Sequence, residues 1–228
     1  MTITLTKEFT QKYEIKYLPK EKYSSFVLQM DYTTDYFYDV VPEVQNKDCW
    51  TVSFIRKKLE TPITHTSEEY DFPDNLYQEY HQNAYAWGVF DKAKQGTSDF
   101  ENPVAVIETD AEVWSNRLRV TEMWVHKDYR RQGLATVLMN VVKEHARLAR
   151  NRAIILETQS CNVAAIDFYR SCGFSLIGFD SCCYKNDDIS RKEVRFEMGY
   201  FLQKKDVKLE DVKIVPEEES HKKESEVM

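Results

Sequence analysis

Nothing in this chain spaces cysteine or histidine for a metal. The five cysteines (Cys49, Cys161, Cys172, Cys182 and Cys183) include no Cys-x-x-Cys pair, and the five histidines are equally scattered, so no metal is expected. An odd cysteine count with one adjacent pair does not make a disulfide framework either, which points to a reducing, cytoplasmic setting. No apolar run approaches membrane-spanning length and no apolar segment follows the first methionine, so no membrane partner is expected. A basic excess is also missing. Lys and Arg number 31 against 38 Asp and Glu, a net charge of −7 with the signs interspersed, which gives no pull toward nucleic acid and is compatible with a small cationic partner. Internal repeats are absent, which excludes solenoids. Glycine is scarce, at six in 228 residues, so each glycine marks a place where the backbone needs its freedom.

What is present is enough for one core: 42% of the residues are apolar and 13% aromatic. The expected domain is 1–202, followed by a mixed-charge, glycine-free tail, 203–228, that reads as a flexible extension. Residues 1–15 alternate as an early strand, and Glu21–Tyr38 is left unassigned. Trp50–Arg56 alternates as a half-buried strand, Lys57–Asp74 reads as a polar loop, and Asn75–Ala84 as a short helix capped by Asp74. Tyr85–Asp91 and Val104–Glu108 follow as strands joined by the loop Lys92–Asn102. Arg117–Val125 is a strand whose alternation places Leu118, Val120, Glu122 and Trp124 on one face.

Gly133–Ala149 is the most regular helix, with Leu134, Leu138, Val141, Val142 and His145 on one stripe. Ala153–Leu156 is a fully apolar strand, Asn162–Cys172 a second helix stopped by Gly173, and Phe174–Tyr184 and Val194–Leu202 are closing strands. The class is α/β with antiparallel features.

The chemistry begins at Arg130-Arg131-Gln132-Gly133-Leu134-Ala135-Thr136, between a strand and a helix. The first N–H groups of a helix lack partners and point outward at the positive end of its dipole. Gly133 lets a ligand approach the backbone, Ala135 avoids crowding, and Arg130 and Arg131 supply mobile positive charge. The turn is suited to a pyrophosphate. Downstream, Asn162 and Tyr169 lie two helical turns apart on one side of their helix.

The strand Val120–Val125, the turn Arg130–Ala135, the run Asn162-Val163-Ala164-Ala165-Ile166-Asp167-Phe168-Tyr169 and the pair Gly173-Phe174 together resemble the GNAT superfamily of N-acetyltransferases, across roughly 83–202. Glu157 through Asp180 and Tyr184, with Trp114, is similar to its streptothricin acetyltransferases. The resemblance implies a mostly antiparallel mixed sheet with a splayed strand pair, flanked by helices. It also implies acetyl transfer from acetyl-CoA to a primary amine, with a homodimer possible. In that reading Arg130, Arg131, Gln132, Gly133, Leu134, Ala135 and Thr136 hold the pyrophosphate. Met123, Trp124 and Val125 pair with the pantetheine, and Asn162 contacts the same arm.

Glu122 is then the candidate base, acting directly or through water, or else a structural carboxylate. Tyr169 is the candidate acid toward the departing thiolate, or else a core aromatic. Trp114, Glu157 and Tyr184 are candidate acceptor contacts, and Cys161 reads as an inert thiol. Acetylation of another polyamine or a peptide amine, and a silent acyl-CoA-binding domain, stand as alternatives.

Overall fold

Chain order alone builds most of the architecture. The computed structural model describes residues 5–69 and 74–202; the expected tail, 203–228, lies outside them. Thr6 caps a first helix, α1 (Lys7–Lys12), by accepting a hydrogen bond from the Phe9 N–H at 3.1 Å. The expected early strand is therefore displaced to β1 (Tyr13–Tyr17), followed by a single turn of helix, α2 (Lys20–Tyr23). A long antiparallel hairpin comes next, β2 (Tyr32–Gln45) and β3 (Trp50–His65). Then follow β4 (Ala84–Asp91), β5 (Ala105–Glu112), β6 (Arg117–Val125), α3 (Leu134–Leu148), β7 (Ala153–Gln159), α4 (Val163–Ser171), β8 (Ser175–Asp180), the short α5 (Asp188–Arg191) and β9 (Arg195–Phe201).

Two expected elements are corrected. The loop predicted over Lys57–Asp74 is strand as far as His65, because β2 supplies a partner along its length. The register slips between Thr34 and Tyr36, so that residues 59–62, including Pro62, pair with nothing on β2. The helix predicted over Asn75–Ala84 does not form either. Asn75 bridges Val27, Leu76 is fully buried, and Tyr77 takes a left-handed φ of 59°. The buried Tyr77 side chain is held by the Leu18 carbonyl and by the Ala86 N–H, so burial of these two residues outweighs weak helix propensity. The closing strand also ends early, at Asp180, where the Cys182 N–H turns back onto the Asp180 carboxylate.

Seven strands form one sheet in the order β1-β4-β5-β6-β7-β9-β8. Every adjacent pair is antiparallel except β6 and β7, which α3 connects by a crossover. That parallel pair is short. Only Arg117–Val120 and Ala153–Leu156 are in register, and the two strands part beyond them. On one face α3 buries Leu134, Leu138, Met139, Val142 and Ala146 against Ile107, Leu118, Val120, Ile154 and Leu156, and α4 adds Ile166 and Tyr169. Each such aliphatic side chain contributes about 1.5–3 kcal/mol. On the other face Leu18, Tyr23, Leu28, Leu76 and Tyr77 cover Ala86, Phe90, Val106 and Trp124. The hairpin crosses the ends of β7, β9 and α4. Tyr38 N–H bonds to the Ser160 carbonyl at 2.9 Å, Phe54 packs edge-on against Phe196, and Arg56 pairs with Asp167 at 3.1 Å.

Candidate active site

The alternation of β6 breaks at Thr121. Glu122 pairs with Glu108 and Val120 with Thr109, so Thr121 is one residue more than β5 can match. A bulge of this kind moves every later side chain to the opposite face. Leu118 and Val120 thus stay in the core under α3, whereas Trp124 packs into the core on the other side, its Nε1 donating to the Gln29 carbonyl at 2.9 Å. The predicted common face of Leu118, Val120, Glu122 and Trp124 is therefore corrected: Glu122 shares its face with Trp124 alone.

That change sets the electrostatics. Beside Glu122 lie Glu108 on β5, Asp74 in the segment after the hairpin, and Glu157 on β7. Burial drives the Glu122 carboxyl well above the usual carboxylate range, and the three neighbouring carboxyls push the same way. Glu108 is fully buried and held by two neutral donors, the Tyr77 N–H at 2.6 Å and the Thr121 hydroxyl at 2.8 Å; burial raises it as well. The basic groups nearby are otherwise engaged. Arg119 faces Glu112 at 2.9 Å, Glu197 at 3.5 Å and Glu157 at 3.7 Å, and Arg195 reaches Glu157 at 2.5 Å. Tyr80 lies near these carboxyls, its phenol raised by burial and then by Glu122.

Tyr169 approaches from the helix side. Its ring is buried on α4, and burial, followed by the Glu122 carboxyl, pushes the phenol up, so it keeps its proton at neutral pH. Glu122 and Tyr169 thus act electrostatically on each other from the two sides of the region where β6 and β7 part. Along that gap the outer edge of β6, residues 121–125, has no strand partner, which leaves backbone amide groups for an extended ligand. Asn162 stands at the start of α4, where its side-chain oxygen caps the helix by accepting from Ala165 N–H at 3.2 Å.

The Arg130–Thr136 turn opens the same gap at its far end. Arg131 and Gly133 both have left-handed φ, 64° and 83°, and α3 begins without a side-chain cap. Successive N–H groups in such a turn form a concave anion site. A Cβ placed on Gly133 would meet no protein atom and would project into the open space in front of the helix. These features fit a pyrophosphate. Arg131 is exposed and able to reach it, but the predicted mobility of Arg130 is corrected. Its guanidinium is tied to the Val125 and Asp31 carbonyls at 3.2 and 3.0 Å, joining the turn to the segment before the hairpin. Gln132 also braces the loop, accepting from the Tyr13 hydroxyl at 2.6 Å and donating to the Asp128 carbonyl at 3.1 Å. A cleft of about 370 Å³ lies here, between Tyr32 and Thr64 of the hairpin and Trp124, His126 and Arg130.

The other candidates are more scattered. Glu157 lies near enough to Glu122 to raise its carboxyl. Tyr184 sits in the loop after β8, which reaches the cleft through Arg195, whose guanidinium donates to Cys183 Sγ at 3.3 Å. Trp114 is 86% exposed on the turn before β6, at the opposite end of that strand from Arg130, with the Arg117 guanidinium 5.7 Å from its ring. Cys161 is fully buried, and burial raises its thiol above the ordinary range. Glu108 escapes the sequence reading, which takes Asp74 only as a helix cap; a lone carboxylate ending the apolar run Val104–Glu108 is the one signal that marks Glu108.

Comparison with known proteins places this geometry. The acetyltransferase (GNAT) family model matches residues 53–174, and the chain belongs to that family. Among curated relatives, the streptothricin acetyltransferase of Escherichia coli is 33% identical over 95 residues, covering 42% of this chain and 54% of that protein. Streptothricin acetyltransferase A of Bacillus subtilis (strain 168) is 32% identical over 73 residues, 32% of this chain and 42% of that protein. The chain thus spans about half the length of the curated relatives it matches. The crystal structure of nourseothricin acetyltransferase superposes with a TM-score of 0.63 at 21% identity, covering 82% of this chain and 97% of that one. A Bacillus anthracis (strain Ames) protein described as a streptothricin acetyltransferase, solved with acetyl coenzyme A, gives 0.60 at 20% identity, covering 84% and 98%. These structural likenesses establish the mixed, largely antiparallel fold. Among the described residues no helix is long and apolar enough to cross a membrane.

Proposed function

We propose that the protein transfers the acetyl group of acetyl-CoA to a primary amine of a streptothricin-type antibiotic. The observation that carries the reading is the electrostatic coupling of Glu122 and Tyr169 beside the point where β6 and β7 part, together with the uncapped N-terminus of α3 that follows β6. Bound acetyl-CoA supplies the activated acyl carbon. The turn 131–136 holds its pyrophosphate, and the unpaired edge 121–125 aligns the pantetheine amides. The amine arrives as an ammonium, to which the negative field of Asp74, Glu108, Glu122 and Glu157 is complementary. Glu122, whose proton affinity is raised by its surroundings, takes the ammonium proton directly or through a water. The freed nitrogen bonds to the acyl carbon as the carbon–sulfur bond breaks; the Tyr169 hydroxyl protonates the departing sulfur, and the extra proton on the new amide nitrogen returns to the Tyr169 oxygen.

The antibiotic is named because both curated relatives are streptothricin acetyltransferases and because the cleft is acidic. A thiol-release assay with acetyl-CoA against streptothricin, spermidine and an N-terminal peptide tests the choice. Transfer fastest to streptothricin is expected. No transfer to it at millimolar concentration would overturn the choice.

A further inference from the structure

We infer that Glu108 is a positioning residue for this site: it clamps the bulge that aims Glu122 and supplies a second negative charge beside it. The inference rests on the acetyl-transfer reading but names a residue that the sequence motifs do not contain. Three observations converge. Glu108 and Glu122 are direct cross-strand partners, which places their Cβ atoms about 5 Å apart. One Glu108 oxygen accepts from Thr121, the extra residue of the bulge, at 2.8 Å, and the other from the Tyr77 N–H at 2.6 Å. Glu108 therefore joins the bulge to the segment that lines the cleft with Asp74 and Tyr80. Finally, its exposure is zero.

A fully buried carboxylate with only neutral donors is costly to a fold, and a glutamine or threonine would serve packing with less penalty. Function accounts for the charge. The groups facing Glu122 are Asp74, Glu108, Glu157, Tyr80 and Tyr169. Arg119 and Arg195 are divided among Glu112, Glu157 and Glu197, and His81 faces Asp110 at 3.4 Å. His81, itself 3.4 Å from Asp110, only partly offsets the Glu108 charge, which still acts on Glu122 and on an incoming ammonium.

The test uses Glu108→Gln and Thr121→Val in the full chain, with kcat and KM for each substrate across pH, thermal melting, and carbon-13 NMR titration of the Glu122 carboxyl. For folded Glu108→Gln, kcat/KM for the amine should fall about tenfold or more. The acidic limb of its profile should move to lower pH, the Glu122 titration should move with it, and KM for acetyl-CoA should not change. Thr121→Val, which keeps both carboxyls but releases the clamp, should lower kcat. A folded Glu108→Gln protein with wild-type kcat/KM and an unmoved Glu122 titration overturns the role. If Glu108→Gln does not fold, unaltered kcat in Thr121→Val overturns it. Should the wild-type protein acetylate no amine, the acetyl-transfer reading fails, and the NMR titration still decides whether Glu108 governs Glu122.

Discussion

Val120 and Glu122, two residues apart on one strand, lie on opposite faces of the sheet. Val120 belongs to the core beneath α3, and Glu122 to an acidic cleft with Asp74, Glu108 and Glu157. Regular alternation would have buried Glu122 among aliphatic side chains. The single extra residue at Thr121 instead delivers it to the face of Trp124, beside the edge of β6 that β7 leaves unpaired.

The surroundings of Glu122 tie stability to pH. Its carboxyl binds a proton more tightly in the folded protein than in the unfolded chain, because burial and neighbouring carboxyls disfavour the charge. The folded state therefore holds more protons between the two pKa values, and stability falls as pH rises through that window. Glu122→Gln removes the ionisation. Its melting temperature should exceed that of the wild type at pH 8 and match it more closely at pH 5, each kcal/mol amounting to about 2–4 °C. Thermal melts at both pH values check this.

The phosphate turn separates backbone from side chain. Gly133→Ala places a Cβ at a left-handed φ of 83° and into the open space before α3. A stability loss of about 1 kcal/mol and weaker CoA binding should follow. Arg131→Ala should weaken CoA binding and flatten its salt dependence without changing stability, since Arg131 is exposed. Arg130→Ala should lower the melting temperature instead, because it breaks two anchors to backbone carbonyls. Calorimetric titration at two ionic strengths, with parallel melts, distinguishes the three.

Core truncation offers a contrast. Leu138 on α3 is fully buried in the core that packs the helix on the sheet. Leu138→Ala should cost about 2–5 kcal/mol while leaving kcat of the folded fraction unchanged. Chemical denaturation, with activity measured below the transition, checks both parts.

The second half of the molecule was legible in the chain because its signals are local. The apolar stripe of α3, the run Ala153–Leu156 and the glycines at 133 and 173, both with left-handed φ, each lie within one element or turn. The β2–β3 hairpin and the irregular segment 74–83 were not legible, since partners distant in sequence decide both. His65 pairs with Tyr32, and Tyr77 is held by Leu18 and Ala86. The bulge was hidden for the same reason. Nothing within Arg117–Val125 marks Thr121 as an extra residue until β5 is laid against it. Glu122 and Tyr169 could thus be named as a pair from sequence, while the face of Glu122 and its companion Glu108 could not.

The central claim is that Glu122 and Tyr169 serve one acetyl transfer from opposite sides of the gap. Its most direct test is kcat for Tyr169→Phe with streptothricin, measured alongside acetyl-CoA affinity. Loss of the phenolic proton should lower kcat by about 10²–10⁴-fold with acetyl-CoA binding unchanged. Wild-type kcat in a folded Tyr169→Phe protein would contradict the account.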